Sequence, residues 1–407
     1  MDKHVFAIDH NIEFRIQCCN GKQMEVAQSL KQIQSSYIRE ILSAASDENV
    51  ISLAGGLPDE STFPIALMKP VLESLTEKPA VFQYGLTAGY PPLLEHLEQA
   101  FNLPDTHQAM VCTGSQQGLD LIARAYINPG DTVVMEAPSY LGAMQVFGLV
   151  QANIVTVSQN ECGPDLTELK SCFASEKPKM FYAVPDFHNP TGVCWSLSVR
   201  QAVANLCEEY NVAFIEDAPY RELRFHGEML PMVSEFCPQH SIVLRSFSKI
   251  ASPGLRMGVV TGKQSYIEPL LKIKQGADLH SSVPMQEVLL GLLTHDGFDD
   301  HLASIRSLYR RRYECLKSEL DRQLPESCNL QSVDGGMFVW VTLPECDTYI
   351  LAKALLEKGV AVVPSPVFYP SPEGQKSAIR LNFTNASEDE LKEAVTRLAT
   401  GIQQIAL

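Results

Sequence analysis

Short apolar runs rich in valine and isoleucine alternate with helix-like segments from about residue 110 to about residue 262. The runs read MVCTG, DTVVMEAP, KMFYAVP, VAFIED, IVLRS and RMGVVTG. This alternation is typical of a mostly parallel β-sheet wrapped in helices. In such a sheet the ligand lies at the carboxyl ends of the strands, so the residues that follow each run are the candidates for function.

The pattern changes after about residue 300. A long amphipathic helix is predicted in SIRSLYRRRYECLKSELDRQL, further helices in LAKALLEKGV and EDELKEAVTRLATGIQQIA, and strands in GGMFVWVTLP, VAVVPS and AIRLNFT. Together these segments predict a smaller α+β domain built from helices and an antiparallel sheet.

The beginning of the chain differs from both parts. Residues 25–45 predict a helix, and ENVISLAGGLPDESTFP then predicts an extended arm interrupted by glycines. We predict an N-terminal arm and helix over residues 1–54, packed with the small domain. A large domain follows over residues 55–295, and the small C-terminal domain covers residues 296–407.

Bulk composition narrows the class of protein. The 407 residues suffice for two domains. The formal net charge of −16 argues against nucleic acid or an anionic membrane as the main partner. Neither a signal peptide nor a membrane-spanning run is visible. The 11 cysteines form no paired framework, and Cys18 and Cys19 have no further ligand at metal-binding spacing. We therefore expect a cytoplasmic protein with reduced thiols and no metal site.

One lysine lies among hydroxyl groups directly after a predicted strand. Lys249 is part of SFSKIASPGLRMG, which follows IVLR. In a cationic, partly dry pocket its pKa would fall, and the lysine would become a usable nucleophile and base. Arg256 adds a permanent charge that suits a phosphate, and Ser246 and Ser248 add hydroxyl donors. A surface loop with a solvated lysine and arginine is the alternative.

Polar residues follow other predicted strands as well. Ser115 and Gln116 begin a helix after MVCTG, where free backbone N–H groups and the helix dipole favour an anion. Asp217 ends VAFIED, where a buried carboxylate is costly unless a cation or donors meet it. Tyr220 follows three residues later. Asn189, in HNPTG, indicates by itself only a turn.

These residues together favour one ligand. It carries a carbonyl for Lys249, a phosphate for the serines and Arg256, and a basic ring nitrogen for Asp217. Pyridoxal phosphate (PLP) has all three groups, and PLP enzymes use a lysine and an acidic partner of the ring nitrogen in this way. Each residue alone could be a cap, a turn or a packing residue. Such an explanation would have to apply independently at five strand ends, which makes it a poor one.

The chain resembles the class I/II aminotransferases of the PLP fold type I superfamily, and within them the 2-aminoadipate/kynurenine aminotransferase branch. The segments that carry the resemblance span almost the whole chain in the family's order and include ISLAGGLPDESTFP, FQYGLTAGYPPLLEHL, CTGSQQGLDL, EAPSYLGA, HNPTG, EDAPYREL, SFSKIASPGLRMG, GGMFVW and AIRLNF. The resemblance implies a large α/β domain with a mostly parallel seven-stranded sheet and a smaller α+β domain. It also implies an aminotransferase that moves an amino group between an L-amino acid and a 2-oxo acid.

The resemblance implies roles for the matching residues. Lys249 would form the Schiff base with PLP and shuttle the proton, with pyridoxamine phosphate as the form that carries the amino group. Asp217 would keep the ring nitrogen protonated, and Tyr140, in APSY, would stack on the ring face. Asn189 and Tyr220 would hydrogen-bond the phenolate oxygen of the ring.

Further implied roles concern the phosphate and the second subunit. The phosphate would be held by Ser115, Gln116, Ser246, Ser248 and Arg256. Tyr84, in QYG, would reach the phosphate from the neighbouring subunit, which implies a homodimer with shared active sites.

The substrate would also be bound by residues that match the family. Arg380, in AIRLNF, would bind the α-carboxylate in a two-pronged salt bridge, beside Asn189 and Gly56. Arg39, in SYIREIL, would approach a side-chain carboxylate, which implies glutamate and 2-oxoglutarate as one substrate pair; a solvated helix arginine is the alternative. The second substrate stays open among 2-aminoadipate, kynurenine, aromatic and branched-chain amino acids.

Two positions depart from the family's pattern. His188 stands where relatives often carry glutamine, and we expect a structural role for it rather than titration near the site. Ser365 stands where glycine is common, which puts the local turn in doubt.

Two other functions stay open. A β-lyase of fold type I would share the cofactor residues. A non-catalytic PLP-binding regulatory domain would need a DNA-binding module of roughly 60–70 residues, and the residues before 25 hold only Lys3, Arg15 and Lys22 as cations.

Overall fold

The computed structural model describes residues 24–27, 29–30, 41, 49–371 and 374–405. Its strands are β1 (Ile51–Ser52), β2 (His107–Cys112), β3 (Thr132–Ala137), β4 (Asn153–Asn160), β5 (Gly163–Pro164), β6 (Met180–Ala183), β7 (Ala213–Asp217), β8 (Ser241–Ser246), β9 (Gly258–Lys263), β10 (Asn329–Leu330), β11 (Phe338–Thr342), β12 (Val360–Ala361), β13 (Val363–Pro364) and β14 (Ala378–Asn382).

The α-helices of the described residues alternate with these strands. They are α1 (Ile65–Ser74), α2 (Pro91–Ala100), α3 (Ser115–Tyr126), α4 (Leu141–Leu149), α5 (Leu166–Glu176), α6 (Leu197–Tyr210), α7 (Val233–Phe236), α8 (Gln264–Ala277), α9 (Val283–Leu293), α10 (Phe298–Gln323), α11 (Thr348–Glu357) and α12 (Glu388–Ile405). Short 3₁₀ turns cover Glu60–Thr62, Leu75–Glu77, Pro79–Phe82, Arg221–Leu223, Pro238–His240, Pro253–Leu255 and Ser365–Phe368. The helix predicted over residues 25–45 lies almost entirely outside the described residues.

The large sheet has the strand order β2-β9-β8-β7-β6-β3-β4-β5. Strands β4, β3, β6, β7 and β8 run parallel to one another, whereas β9 is antiparallel to both β8 and β2. The predicted α/β class is therefore confirmed. Seven of these strands, β2, β9, β8, β7, β6, β3 and β4, form the predicted seven-stranded sheet, and β5 adds a short antiparallel strand of two residues at its edge. A glycine and a proline carry no apolar periodicity, so this strand left no signal in the sequence.

Alternate residues of the central strands face two different hydrophobic clusters. Val133 and Met135 of β3 belong to one cluster, whereas Val134 belongs to another; Phe181 and Phe214, on β6 and β7, join Val134. Since successive strand residues point to opposite faces, both faces of the sheet are covered. Near-continuous apolar strands are the expected result, because a parallel sheet with helices on both sides has no solvated face.

The carboxyl ends of the parallel strands meet at one edge of the sheet. The register pairs Ser246, the last residue of β8, with Gly258, the first residue of β9, and pairs Gly258 with Cys112 at the end of β2. The chain also passes from β3 outward to β4 and then returns to β6 on the other side of β3. Such a reversal opens a crevice at the carboxyl edge, where ligands of α/β proteins bind.

A second, smaller sheet is built after residue 328. Strands β10, β11, β14 and β13 are antiparallel in that order, and α10 packs against α12. Strand β1 pairs in parallel with β12, which joins the segment around residue 51 to this part of the chain. The domain limits at residues 54/55 and 295/296 stay predictions, and one continuous hydrophobic cluster contains both Leu244 of β8 and Leu381 of β14.

A buried arginine holds the loop that follows β6. Arg200 of α6 and Asp186 of the loop are 0% and 1% exposed, and Arg200 Nη2 donates to Asp186 Oδ1 at 2.6 Å. Arg200 Nε also donates to the backbone oxygen of Trp195 at 3.0 Å, and Arg221 Nη1 donates to Asp186 Oδ2 at 3.0 Å. Burial alone would raise the pKa of Asp186, but the charge and hydrogen bonds of Arg200 hold it below its usual value.

We expect Arg200→Met to lower the apparent free energy of unfolding by about 3 kcal/mol, because it leaves Asp186 buried without its main partner. Urea unfolding followed by circular dichroism measures the change. The matched control is Arg310→Met on α10, whose ion pair with Glu314 (2.7 Å) is exposed. The control should cost less than about 1 kcal/mol. Equal losses in the two variants would contradict a buried clamp.

Candidate active site

Lys249 lies three residues beyond the end of β8. Its side chain is half-buried, and Nζ donates a hydrogen bond to the backbone oxygen of Gly56 at 2.8 Å. Burial, together with the positive charges of Arg256 and Arg380, lowers the pKa of Lys249 to about 8. A lysine in this state is neutral often enough near neutral pH to act as a nucleophile or a base.

Asp217 ends β7 and is buried with one oxygen unpaired. Oδ2 accepts a hydrogen bond from the hydroxyl of Tyr182 at 2.8 Å. Oδ1 has no hydrogen-bond partner among the described residues. Burial raises the pKa of Asp217 to about 7, although the bond from Tyr182 opposes the rise. An orphaned buried carboxylate oxygen is costly, and a cationic N–H donor placed beside it would remove that cost.

The amino end of α3 and Arg256 form a cradle for an anion. Gly114 is the N-cap of α3, and no side chain caps the helix. Arg256 Nη2 donates to the backbone oxygen of Thr113 at 3.1 Å, and a Cβ built on Gly114 would lie 2.8 Å from that Nη2 atom. A Cβ on Gly258 would likewise lie 2.8 Å from the carbonyl carbon of Gly114. Helix amides and a guanidinium therefore meet at one point, where the helix dipole favours a negative charge.

The predicted phosphate residues border this cradle. Ser115 is the first residue of α3 and half-buried, and Gln116 is exposed. Ser246 is paired with Gly258 in the sheet, and its Oγ accepts the backbone N–H of Ser248 at 3.3 Å. These residues therefore supply backbone, hydroxyl and amide groups near the amino end of α3 and the start of β9.

Tyr140 reaches the cradle from the crevice beside β3. It is the N-cap residue of α4, and its hydroxyl donates to Gln116 Oε1 at 3.1 Å. Burial raises the pKa of Tyr140 to about 12, with the charge of Asp217 acting in the same direction. The phenol therefore keeps its proton at neutral pH.

Arg380 is a buried cation without a carboxylate partner. Nη1 donates to Asn189 Oδ1 at 2.8 Å, and Nη2 donates to the backbone oxygen of Ala54. Nε has no hydrogen-bond partner, and no carboxylate of the described residues lies within ion-pair distance. Burial lowers the pKa of Arg380 to about 10. A guanidinium held in this way is ready to receive an incoming carboxylate.

Asn189 links this cation to Tyr220. Its amide Nδ2 donates to Tyr220 Oη at 3.4 Å while its Oδ1 accepts from Arg380. Burial raises the pKa of Tyr220 above its usual value, so the hydroxyl stays protonated. One side chain therefore orients two of the other predicted site residues.

One predicted residue, Tyr84, lies away from this cluster in the single chain, and another residue has a different contact from the one expected. Tyr84 is 79% exposed and packs edge-on against His280, with the ring centroids 5.9 Å apart. Arg39 lies outside the described residues. Gly56 enters the site through its carbonyl oxygen, which holds Lys249, and a Cβ there would lie 3.2 Å from Phe338.

Sequence reasoning missed Tyr182 and Phe338. Tyr182 is fully buried in β6, and a buried tyrosine needs a partner for its hydroxyl, so the run KMFYAVP carried a usable signal. Phe338 lies under Arg380, with 4.3 Å between the guanidinium carbon and the ring centroid. Its place in an apolar strand predicted core packing and nothing more.

The two departures from the family's pattern have structural contacts. Burial lowers the pKa of His188 to about 3, so the ring is neutral, and Nδ1 lies 3.0 Å from Thr191 Oγ1. Ser365 Oγ donates to the backbone oxygen of Lys376 at 2.7 Å and accepts the N–H of Ala378 at 3.2 Å. A glycine could not make these two bonds.

The site fits PLP by its own chemistry. The unpaired Asp217 Oδ1 suits a protonated ring nitrogen, the Gly114 and Arg256 cradle suits a phosphate, and Lys249 suits an aldehyde. Within the described ranges, no three His, Cys, Asp or Glu side chains are grouped so that they could hold a metal ion. No helix of those ranges has the length and apolar character needed to cross a membrane.

Comparisons with known proteins agree with this chemistry. The profile of the family described as "Aminotransferase class I and II" matches residues 48–398. The chain is 34% identical over 386 residues to aromatic-amino-acid aminotransferase 1 of Thermococcus litoralis, covering 91% of this chain and 92% of the relative. It is also 34% identical over 378 residues to 2-aminoadipate transaminase of Thermus thermophilus, covering 91% and 94%.

A solved structure extends the similarity to the fold. The crystal structure of the α-aminoadipate aminotransferase from Thermus thermophilus, complexed with N-(5′-phosphopyridoxyl)-L-leucine, superposes with a TM-score of 0.87 at 33% identity, over 93% of this chain and 97% of that one. The predicted fold type I architecture is therefore confirmed, as are the predicted activity and cofactor. The chain belongs to the class I and II aminotransferases and is a PLP-dependent aminotransferase of fold type I.

Proposed function

We propose that this aminotransferase uses glutamate and 2-oxoglutarate as one substrate pair and exchanges the amino group with a second amino acid at the site around Lys249. The observation that carries the proposal is the buried, carboxylate-free guanidinium of Arg380. Lys249 Nζ bonds the backbone of Gly56 while Arg380 Nη2 bonds the backbone of Ala54, so both cations border one three-residue segment. A carboxylate on Arg380 would bring the adjacent α-carbon towards Lys249.

PLP, when bound, supplies an electron sink for the bond that breaks at the α-carbon. The chain's own residues hold and orient the reacting groups. Asp217 Oδ1 would accept a hydrogen bond from a protonated ring nitrogen, and Tyr182 keeps the other oxygen of the carboxylate in place. The residues that would hold the phosphate at the cradle are Ser115, Gln116, Ser246, Ser248 and Arg256.

Lys249 moves the proton of the substrate α-carbon. The lowered pKa of its ammonium makes Nζ a base near neutral pH, as general acid–base catalysis requires. Tyr140 and Tyr220 keep their hydroxyl protons. Tyr220 would donate to the phenolate oxygen of the ring, and Tyr140 would stack on the ring face. Asn189 fixes Arg380 and Tyr220 relative to each other.

The second substrate is proposed from the relatives. The two described by name act on aromatic amino acids and on 2-aminoadipate, so we propose a large aromatic or dicarboxylic amino acid. Arg39 remains our proposed contact for a side-chain carboxylate. No specific observation favours a β-lyase or a regulatory domain over transamination.

We also propose a homodimer in which Tyr84 completes the site of the partner subunit. The support is a group of exposed apolar side chains between residues 57 and 86, among them Leu57 (51% exposed), Ile65 (60%), Phe82 (63%), Tyr84 (79%) and Leu86 (61%). Exposed apolar side chains concentrated in one stretch of chain are typical of an interface between proteins. A tyrosine this exposed is free to reach another chain.

A cytoplasmic location completes the proposal. The described residues contain nine free cysteines and no disulfide. Reduced thiols in this number are typical of a compartment kept reducing by glutathione and thioredoxin.

The direct test of the donor pair is a single turnover without an acceptor. The PLP-loaded protein should release about one equivalent of 2-oxoglutarate per site from glutamate, because the amino group stays on the enzyme. Lys249→Ala should release at least about 10³-fold less, since the proton carrier is lost. The control Lys272→Ala, an exposed lysine on α8, should behave as the unaltered protein.

Release of the corresponding 2-oxo acid from other amino acids, with no 2-oxoglutarate released from glutamate, would overturn the glutamate proposal. Pyruvate and ammonia formed from a cysteine conjugate would favour the β-lyase instead.

Mixed dimers test the shared site. Tyr84→Ala and Lys249→Ala should each be defective alone, because each removes a different part of the same site. After dissociation and remixing, about half of the dimers are hybrids, and each hybrid holds one intact site. Activity should therefore recover to about a quarter of the unaltered level, measured by turnover of glutamate. No recovery, with hybrid dimers verified by mass spectrometry, would place Tyr84 outside the partner's site.

A further inference from the structure

Glu136 and His188 are buried side by side behind the loop that carries Asn189. Glu136 lies on β3, His188 directly precedes Asn189, and the two side chains are 0% and 1% exposed. Glu136 Oε2 and His188 Nε2 are 3.7 Å apart. The proposed chemistry uses neither residue, so the burial of two titratable groups here calls for a physical explanation.

Hydrogen bonds around the pair determine which atoms carry protons. Gln159 Nε2 and Trp195 Nε1 both donate to Glu136 Oε1, at 2.8 and 3.1 Å. The hydroxyl of Thr191 donates to Gln159 Oε1 at 2.6 Å. A hydroxyl has one hydrogen, so the 3.0 Å contact between Thr191 Oγ1 and His188 Nδ1 requires the imidazole to be the donor.

The neutral imidazole therefore carries its proton on Nδ1 and directs the lone pair of Nε2 at Glu136. A lone pair facing a carboxylate oxygen is repulsive, and Oε2 has no hydrogen-bond partner among the described residues. A proton on Oε2 turns the same contact into an O–H···N hydrogen bond. The distance of 3.7 Å is longer than a formed hydrogen bond, so the bond requires the carboxyl group and the ring to approach each other by about half an ångström.

We propose that Glu136 is a neutral carboxylic acid in the folded protein and, by donating to His188, fixes the loop that presents Asn189. The loop is closed on itself, because the N–H of His188 donates to Val193 O at 2.9 Å and the N–H of Gly192 donates to His188 O at 2.6 Å. The position of the imidazole therefore sets the position of the next residue, Asn189.

Asn189 transmits this position to the substrate site. Its side chain accepts from Arg380 and donates to Tyr220. Glu136 and His188 are thus positioning residues, which touch neither substrate nor cofactor and act through Asn189. This effect on the substrate depends on the proposed function, in which Arg380 binds the α-carboxylate.

The pH dependence follows from burial. Burial raises the pKa of Glu136 to about 8 and lowers the pKa of His188 to about 3. His188 is the only titratable side chain within ion-pair distance of Glu136 among the described residues, and the other groups that face it, Gln159 of β4 and Trp195 and Thr191 of the loop, are neutral.

The direction in which folding stability changes with pH depends on whether the folded or the unfolded chain keeps the Glu136 proton. Folded Glu136 keeps its proton at pH values where the unfolded chain has lost it. Its contribution to stability is therefore complete below the ordinary pKa of 4.5 and declines as the pH rises towards about 8. His188 shifts in the opposite direction and destabilises the fold below its ordinary value of 6.5, equally in every variant at position 136.

Glu136→Gln tests the proposal, because glutamine copies a protonated glutamate. Its oxygen accepts from Gln159 and Trp195, and its amide donates to His188. In the PLP-loaded protein, we expect its Tm to match that of the unaltered protein within about 1 °C near pH 5 and to exceed it by about 4 °C near pH 8.5. Near pH 7 its KM for the amino acid should equal that of the unaltered protein.

Two further variants separate positioning from general stability. Glu136→Ala removes both the acceptor and the donor, so the KM should rise at least about five-fold while kcat falls less, because Arg380 loses alignment. The matched control is Glu216→Gln on β7. Both oxygens of Glu216 accept backbone N–H groups, from Val233 at 3.0 Å and Ser234 at 2.8 Å, so glutamine loses an acceptor and lowers the Tm near pH 8.5.

A Tm of Glu136→Gln below that of the unaltered protein near pH 8.5, or a difference independent of pH, would overturn the proposal, because Glu136 would then be ionised in the fold. If Glu136→Ala does not fold, the comparison with Glu136→Gln alone decides. Failure of the proposed function is a separate result: the unaltered protein would then release no 2-oxoglutarate from glutamate at any pH, while the Tm comparison needs no substrate.

Discussion

The site depends on buried polar groups that the chain itself leaves unpaired. Asp217 Oδ1 and Arg380 Nε have no partner among the described residues, although both side chains are almost fully buried. Each such group costs about 1–3 kcal/mol, and more where it is charged. The rest of the fold supplies that energy through a sheet whose two faces are both covered by packed side chains. A bound ligand that donates to Asp217 Oδ1 and accepts from Arg380 Nε regains part of this free energy.

The strand ends explain why these groups can lie close together. Parallel strands bring their carboxyl ends to one edge, and the register of Ser246, Gly258 and Cys112 aligns the carboxyl ends of β8 and β2 with the amino end of β9. Short loops then place Lys249 and Arg256 within a few residues of the sheet. The antiparallel β11–β14 pair brings Arg380 to the same crevice from the other side. The positions of these side chains are therefore fixed by the rigid strands rather than by the loops themselves.

Much of the fold could be predicted because its signals are local. Buried parallel strands are continuous apolar runs, so DTVVMEAP and VAFIED were identified as strands from their letters alone. Strand β5 could not be predicted, because Gly163 and Pro164 gain their pairing from β4 and not from their own pattern. The resemblance to the family identified the candidate residues, and the strand ends explain why they converge.

The rest of the site depends on contacts between segments far apart in sequence. Tyr182 bonds Asp217 across 35 positions, and Trp195 bonds Glu136 across 59. No short window of sequence contains both partners of either pair. The bond from Tyr182 to Asp217 and the protonation of Glu136 and His188 could therefore not be predicted from the sequence. Sequence reasoning finds groups that carry chemistry more readily than groups that orient them.

The protonation of the cofactor's ring nitrogen is the most direct test of the unpaired carboxylate. NMR of the protein loaded with PLP that is isotopically labelled at this nitrogen reports whether the atom carries a proton. We expect a protonated nitrogen from about pH 6 to about pH 8 in the unaltered protein and an unprotonated one in Asp217→Asn, since an amide cannot supply the negative charge. An unprotonated nitrogen in the unaltered protein would contradict the role of Asp217 on which the whole site depends.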